Sequence, residues 1–450
     1  MMNTILMNWQ PIVASLTFIG VIGLLITEWI HLTTAALLGS VLLVLTSVLT
    51  LPEAIGYIAK SHSTLVLFFG VMILVRSLQP TKIFEYLGTQ IVKFAQGRGD
   101  RLLLAIVGIT TPICALLPNA TTVMLIAPLI PPIAEELAID FVPLLILLVL
   151  VANSAGLLTI VGDPATFIVG SALNLSFWDY LQRLSLGGAL AIGVLIALLP
   201  LLWRKIWRTQ LPNLAALPNV VIQHPIALIF ELIIVMGMVI FFVIGELLPV
   251  QISPATIALL GAALSLIVVQ KSRMGQVADI LRDVDWGTLI FLMGIFVLIG
   301  GLEKTGVISS LSSVLSVVLG QNVFLGTFIL LFGIGIISSL VPNIPLVIAA
   351  VPLLKNYIVS TGMAPTAVLA ANFDGQFPDQ VLPLFYAMMY GATLGGNATL
   401  VGASSNIVAA GIAQQYGRPI AFRRYLKYGI PTTAAQLIVL ALYVWLRFLR

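Results

Sequence analysis

Charge is scarce in this sequence. The 450 residues include 21 Lys and Arg and 17 Asp and Glu, together 8% of positions, where a soluble chain carries about a quarter. Cysteine is nearly absent, and the lone Cys114 excludes a disulfide framework or a Cys-based metal site. His31, His62 and His224 lack any ligand spacing, so no transition-metal centre is expected. A Walker-type phosphate loop is missing as well, as is any stretch long and polar enough for a soluble domain, so direct ATP drive would need a partner. No Lys or Arg precedes Glu28. The basic start of a cleavable signal peptide is therefore lacking, and the first apolar run is expected to stay as a membrane span.

What fills the chain instead is apolar. Sixty per cent hydrophobic residues and a mean hydropathy of +1.13 define an all-α polytopic membrane protein whose first partner is the lipid bilayer. The net charge of +4 lies beside membrane segments, where positive-inside bias accounts for it, so no nucleic-acid partner is expected.

A bilayer span needs about 20 apolar residues as helix. Plausible spans lie near 11–28, 33–51, 63–79, 183–203, 225–248, 252–270, 286–302 and 430–447. The run 102–134 is free of charge, too long for one span and too short for two. Its middle, CALLPNATTV, places Pro118 and Asn119 where a helix must break, which predicts a re-entrant hairpin. The run 305–354 is similar and breaks at SSLVPNIPLV, around Pro342 and Asn343.

That likeness extends to an internal repeat. TLVLFFGVMILVRSL (64–78) aligns with TLIFLMGIFVLIGGL (288–302) at an offset of 224, which Asn119 and Asn343 keep. TIVGDPATFIV (159–169) aligns with TLVGASSNIVA (399–409) at an offset of 240. Sixteen residues are therefore inserted in between, and the polar segment ANFDGQFPDQV, from residue 371, is expected to hold much of them. Three matches in one order indicate duplication. The expected first repeat is 1–203, with hairpin 101–136 and interrupted helix 141–174. A basic linker follows at 204–224. The second repeat is 225–450, with hairpin 322–357 and interrupted helix 383–412. Five spans plus one hairpin per half makes the repeats inverted. With the N-terminus outside, 15 of the 21 basic residues fall in cytoplasmic loops, the asymmetry expected of a multi-pass protein of the cell (inner or plasma) membrane. Segments 80–96 and 303–321, mildly amphipathic, read as interfacial helices.

The chemistry concentrates in the two interrupted spans, NSAGLLTIVGDPAT (153–166) and GATLGGNATLVGASSN (391–406). Unwound backbone at membrane depth offers carbonyls to cations and helix N-termini to anions. Asp163, before Pro164, has the pattern of a helix cap. A carboxylate inside a membrane also calls for a cation, a proton or a basic partner, and the two roles can coexist; Na⁺ or H⁺ near Asp163 is the expected coupling ion. Its counterpart Ala403 is neutral. Asn119 and Asn343 suit either a turn beside proline or ligand contact. Thr121, Thr122, Thr159, Thr166, Asn397, Thr399, Ser404, Ser405 and Asn406 suit either ligand contact or helix–helix hydrogen bonding, and Gly156, Gly162, Gly395, Gly396 and Gly402 permit the turns. Glu28 and Glu231 read as near-interface carboxylates, with Glu231 a minor coupling candidate. No cofactor is implied.

At LPNATTVMLIAP (117–128), TIVGDPAT, GGNATLVGASSNIVAAGIAQQYG (395–417) and the following FRRYLKYGIP, the sequence resembles the ion transporter superfamily. The branch is that of arsenite permeases, NhaD-type sodium/proton antiporters and the melanosomal P protein, related to citrate and divalent-anion/sodium symporters. The resemblance implies a transport domain carrying two hairpins that moves against a scaffold, often in a homodimer. Many relatives in the arsenite and antiporter branch carry an Asp-Asn pair at the hairpin tips; here Pro118 and Pro342 precede the asparagines. The Ser-Asn-Thr pattern of the dicarboxylate symporters is not intact either, and the GDPxT form of 162–166 is nearer the GDPPN of the arsenite and antiporter branch. The expected function is secondary active transport of a small ion, either an anion or Na⁺/H⁺ exchange, by alternating access. An arsenite or oxyanion efflux permease is the alternative. A membrane enzyme or receptor is remote, since Asp163 has no evident catalytic partner.

Overall fold

The computed structural model describes residues 9–27, 29–210, 220–245, 252–370, 373 and 375–450; Glu28 lies outside them. In hydrocarbon each peptide group must be bonded within its own segment, so apolar stretches become helices. No β-strand occurs among the described residues, and nine helices there are long and apolar enough to cross a membrane.

The first half opens with α1 (Gln10–Thr27) packed on α2 (Leu32–Leu45). The span expected at 33–51 is shorter than that. α2 stops at Leu45, Ser47 takes a left-handed φ of 56°, and Thr50 starts α3 (Leu51–Lys60) through a capping box with Glu53. A Thr followed three residues on by Glu, with Pro in the first turn, is a helix start. Next come α4 (His62–Leu78) and α5 (Ile83–Ala95), then α6 (Gly99–Leu116), α7 (Asn119–Ile126) and α8 (Ile130–Glu136). The charge-free run 102–134 thus forms helices separated at Leu117 and Pro118, which are extended. α9 (Val142–Ala155) and α10 (Pro164–Ala172) flank an unwound stretch, followed by α11 (Phe177–Arg183), α12 (Ser185–Leu202) and α13 (Arg204–Trp207). Of the expected linker, residues 211–219 lie outside the described set.

The second half runs through α14 (Pro225–Ile244), α15 (Pro254–Lys271), α16 (Val277–Arg282), α17 (Trp286–Lys304) and α18 (Val307–Leu319). It ends with α19 (Val323–Ser338), α20 (Asn343–Ser360), α21 (Leu382–Gly395), α22 (Ser404–Gln415) and α23 (Phe422–Val444). α8 and α20 end 224 residues apart, whereas α9 and α21 begin 240 apart. The whole change of offset falls in 361–381, against 137–141 in the first half. Of the polar segment named for that insertion, residues 371, 372 and 374 lie outside the described set.

Small residues set the closest helix contacts, since without a hydrophobic drive between helices in lipid, backbone approach and packing hold them together. A Cβ on Gly70 of α4 would stand 2.6 Å from the Ala258 carbonyl oxygen of α15, and one on Gly294 of α17 would stand 3.1 Å from that of Ala36 in α2. These two glycines are 224 apart. α14 and α18 present apolar side chains outward, among them Phe230, Ile233, Met236, Val317 and Val318. α9 and α21, by contrast, are buried along their entire lengths. The two interrupted helices therefore lie at the centre of the molecule, one buried apolar half each.

Candidate functional site at the helix breaks

Each break is built by local chemistry. Pro118 and Pro342 take nearly the same extended conformation (φ −53°, ψ 133° and φ −52°, ψ 139°) and start α7 and α20. Asp163 and Ala403 also match (φ −142°, ψ 142° and φ −145°, ψ 145°) and precede α10 and α22. Proline fixes φ and lacks an amide donor, so it suits a helix start.

The two breaks are braced alike. Thr159 donates its hydroxyl to the Ala115 carbonyl and Thr399 to that of Ser339, so the bonds tie the breaks to the C-terminal ends of α6 and α19. Gly162 lies so close to the backbone that a Cβ would stand 2.7 Å from the Gly156 oxygen and 2.9 Å from that of Cys114. At Gly402 the matching distances are 2.7 Å to Gly396 and 3.0 Å to Ser338. Gly395 packs its backbone on Gly335 of α19. Thr166 donates to the carbonyls of Asp163 (2.7 Å) and Ile160 (3.1 Å). Its counterpart Asn406 donates to Gly396 (2.8 Å) and Thr399 (2.9 Å). These side chains satisfy unwound carbonyls that would otherwise be left unpaired.

The Asp163 side chain does more than cap. It sits at the N-cap of α10 with the Ala165 amide beside its carboxyl, but without a close cap bond. Buried to 1% exposure, its Oδ2 accepts from Asn343 Nδ2 at 3.1 Å and from the Thr393 hydroxyl at 3.5 Å. No ion pair to it occurs among the described residues.

The second break has no carboxylate and gathers amides. Asn119 Nδ2 donates to Asn153 Oδ1 (3.0 Å), which also accepts from the Ser405 hydroxyl (2.6 Å). Asn153 Nδ2 in turn donates to Asn397 Oδ1 (3.0 Å) and Asn406 Oδ1 (3.1 Å). Asn397 Nδ2 reaches Gln436 Oε1 (3.2 Å) and Ser154 Oγ (3.3 Å), and Gln436 Nε2 donates to Ser154 Oγ (2.9 Å). Of the residues singled out from sequence, Asn119, Asp163, Asn343, Asn397, Ser405 and Asn406 thus meet through side chains. Thr121 is buried outside these bonds, Thr122 lies beside Cys114, and Ser404 lines a cavity. Asn153, Ser154, Thr393 and Gln436 were not singled out. The available signal was a polar side chain on an otherwise apolar buried helix.

Four helix N-termini, those of α7, α10, α20 and α22, flank these contacts, and their dipoles favour negative charge nearby. A cavity of about 520 Å³ adjoins them. Its wall includes Pro342, Asn343 and Ser404 on one side and His31, Asp285 and Phe291 on the other, and no Lys or Arg. Among the described residues no three His, Cys, Asp or Glu side chains gather. Oxygens of Asp163, Asn343 and Thr393 are the groups able to hold a hard cation. Asp140, just before α9, is bonded by Arg424 of α23. Burial pushes the Asp140 carboxyl up, but Arg424 and the Val142 amide hold it below the usual carboxylate range.

Residues 22–373 match the family model described as citrate transporter. The chain is 61% identical to an uncharacterized transporter of Synechocystis over 432 residues, 96% of each chain. It is 32% identical to an uncharacterized transporter of Mycobacterium tuberculosis over 98% of this chain and 99% of that one. It is also 26% identical to the human P protein, over 94% of this chain and 58% of the longer relative. A polytopic helical membrane protein matched by that model over most of its length, this chain belongs to the citrate transporter family.

Proposed function

We propose that the protein is a secondary active transporter that moves a small ion by alternating access, coupled to sodium or protons. One observation carries the reading: the buried Asp163 carboxylate, bonded by Asn343 and Thr393 and facing no basic side chain among the described residues. A carboxylate so placed in a membrane protein needs a cation or a proton, and one that exchanges is a coupling ion.

The surroundings suit an anionic substrate. The helix N-termini and the second amide hydrogens of Asn119 and Asn343 offer donors, and the family description names citrate. The cavity wall offers no Lys or Arg, so an anion entering it would be neutralised by the co-transported cation. The carbonyl-bracing bonds keep each break rigid, which lets α10 with the hairpin tip at Asn343 move as one piece past α2 and α17. With the N-terminus outside, the His31 and Asp285 end of the cavity faces the cytoplasm of the cell membrane, and the conformation is inward-open.

Purified protein in liposomes, assayed for labelled citrate uptake and internal pH under imposed sodium and proton gradients, tests this. Uptake should follow one of the two gradients. Transport of no candidate ion under either gradient would overturn the proposal. Proton or sodium exchange without citrate uptake would replace symport with antiport.

A further inference from the structure

A second carboxylate lies deep in the protein, far from these contacts in sequence and on other helices. Glu231 is two turns into α14, about 9 Å along the helix from Pro225. It is fully buried, and neither carboxyl oxygen has a hydrogen bond. Opposite it on α15, near enough to act on the carboxyl, the fully buried Ser265 hydroxyl makes no close hydrogen bond either. The seam around them is apolar and tight: Leu228, Met238 and Phe242 are buried on the same face of α14, and Met238 packs onto Gly261 of α15. A snorkelling near-interface carboxylate, the reading suggested by its position in sequence, would instead reach water.

Among the described residues no charge compensates it. α14 carries no other charged residue, and α15 has only Lys271, in its last turn. On α4, Arg76 is turned to Gln79 and Met124, and His62 to the Ala59 carbonyl at the far end. On α11, the Asp179 carboxylate accepts from Ser176 at its own helix start, Tyr180 donates to the Leu157 carbonyl and Arg183 pairs with Asp379. The 3₁₀ turn Gln79–Thr81, also packed on α14, has no charge. An ionised Glu231 would be an uncompensated charge in a low-dielectric interior, which proteins avoid by neutralising the group. Two carboxyl oxygens and one hydroxyl are too few for a sodium ion, but one added proton removes the charge and gives the cluster a second donor beside the Ser265 O–H.

We propose that Glu231 and Ser265 form a proton-binding site at the α14–α15 seam, separate from the transport site, in which the carboxyl carries a proton. The acid O–H and the Ser265 hydroxyl then satisfy each other through small side-chain rotations. Loss of the proton requires the seam to open and admit water.

The test uses the full-length protein in detergent and reads no transport, so it stands apart from the transporter reading. In infrared spectra at neutral pH, the wild type should contain a protonated-carboxyl C=O band that Glu231→Gln lacks, and the band should shift in heavy water. Dicyclohexylcarbodiimide is the chemical probe. The acid O–H adds across one C=N bond and the product rearranges to an N-acylurea, retaining every atom of both reactants. Mass spectrometry should then find the adduct on the Glu231 peptide, absent in Glu231→Gln and equally fast in sodium and choline chloride. Identical infrared spectra for wild type and Glu231→Gln, both folded by size-exclusion profile, would overturn the site. Labelling slowed by sodium alone would overturn the proton assignment in favour of a metal cation.

Discussion

Asn343, the first residue of α20, donates from Nδ2 to Asp163 Oδ2 at 3.1 Å, joining a helix start to a helix break 180 residues away. The bond ties the two halves of the chain together at the one carboxylate that joins these contacts among the described residues. Its counterpart position, Ala403, has nothing to offer a cation. The two breaks share a backbone but not a charge, so one is suited to a cation and the other, with Asn153, Asn397 and Asn406, to neutral polar contacts.

Asp163→Asn keeps the shape and removes the charge. Hydrogen bonds to charged groups contribute about 1.5–3 kcal/mol, which corresponds to ~10–100-fold in affinity. Gradient-driven uptake in liposomes should fall by at least ~10-fold, while the size-exclusion profile stays that of the wild type. Unchanged ion dependence would remove Asp163 from coupling.

The breaks should tolerate no side chain at Gly162 or Gly402. At each, a Cβ meets two backbone carbonyl oxygens at 2.7–3.0 Å, atoms that cannot rotate away. Overpacking of this sort costs ~1–3 kcal/mol. Gly162→Ala and Gly402→Ala should each lower the melting temperature in detergent. Gly108→Ala on α6, with open space around its Cβ position, should not.

The breaks at Pro118, Pro342, Asp163 and Ala403 are legible in the sequence because proline and glycine act locally. Two alignment offsets also bracket the longer connection 361–381 between residues 343 and 399. Asn153 and Gln436 were not legible, for a physical reason: a lone amide on an apolar helix has meaning only once the helix facing it is known, and their partners lie 244 and 39 residues away, at Asn397. Asp163 shows the limit from the other side. Its Asp-Pro pattern gives the backbone position of a cap, while tertiary bonds to Asn343 and Thr393 claim the side chain. The short α2 follows from the Thr50 to Glu53 capping box, a local signal overridden in sequence by the apolar run around it.

An exposed pair gives a pH dependence. The Lys304 ammonium donates to Glu53 at 2.6 Å, joining α17 to α3. That hydrogen bond, with others from Thr50, lowers the Glu53 carboxyl from 4.5 to about 2. A depressed folded value means the contribution to stability is present above pH 4.5 and is lost as pH falls toward 2. Melting temperatures of wild type and Glu53→Gln should therefore differ near neutral pH and converge across that window. The difference should shrink in high salt, since both partners are partly exposed.

Asn153 holds the second break together, and its removal should be among the most damaging single changes in the protein. It accepts from Asn119 and Ser405 and donates to Asn397 and Asn406, all buried. Asn153→Leu keeps the volume but orphans these groups, each worth ~1–3 kcal/mol when left unsatisfied inside. Some recover: Ser405 can turn to Asn406 Oδ1, at 3.4 Å, which satisfies both, while Asn119 Nδ2 and Asn397 Oδ1 lose their partner. The expected net loss is therefore about 3 kcal/mol or more, read as a lowered melting temperature. Ser404→Ala, on the half-buried cavity wall, should stay within ~0.5 kcal/mol of wild type. A similar drop for both would mean that the network contributes no more than ordinary packing. A drop for Asn153→Leu alone would place the stability of the carboxylate-free break in its amides.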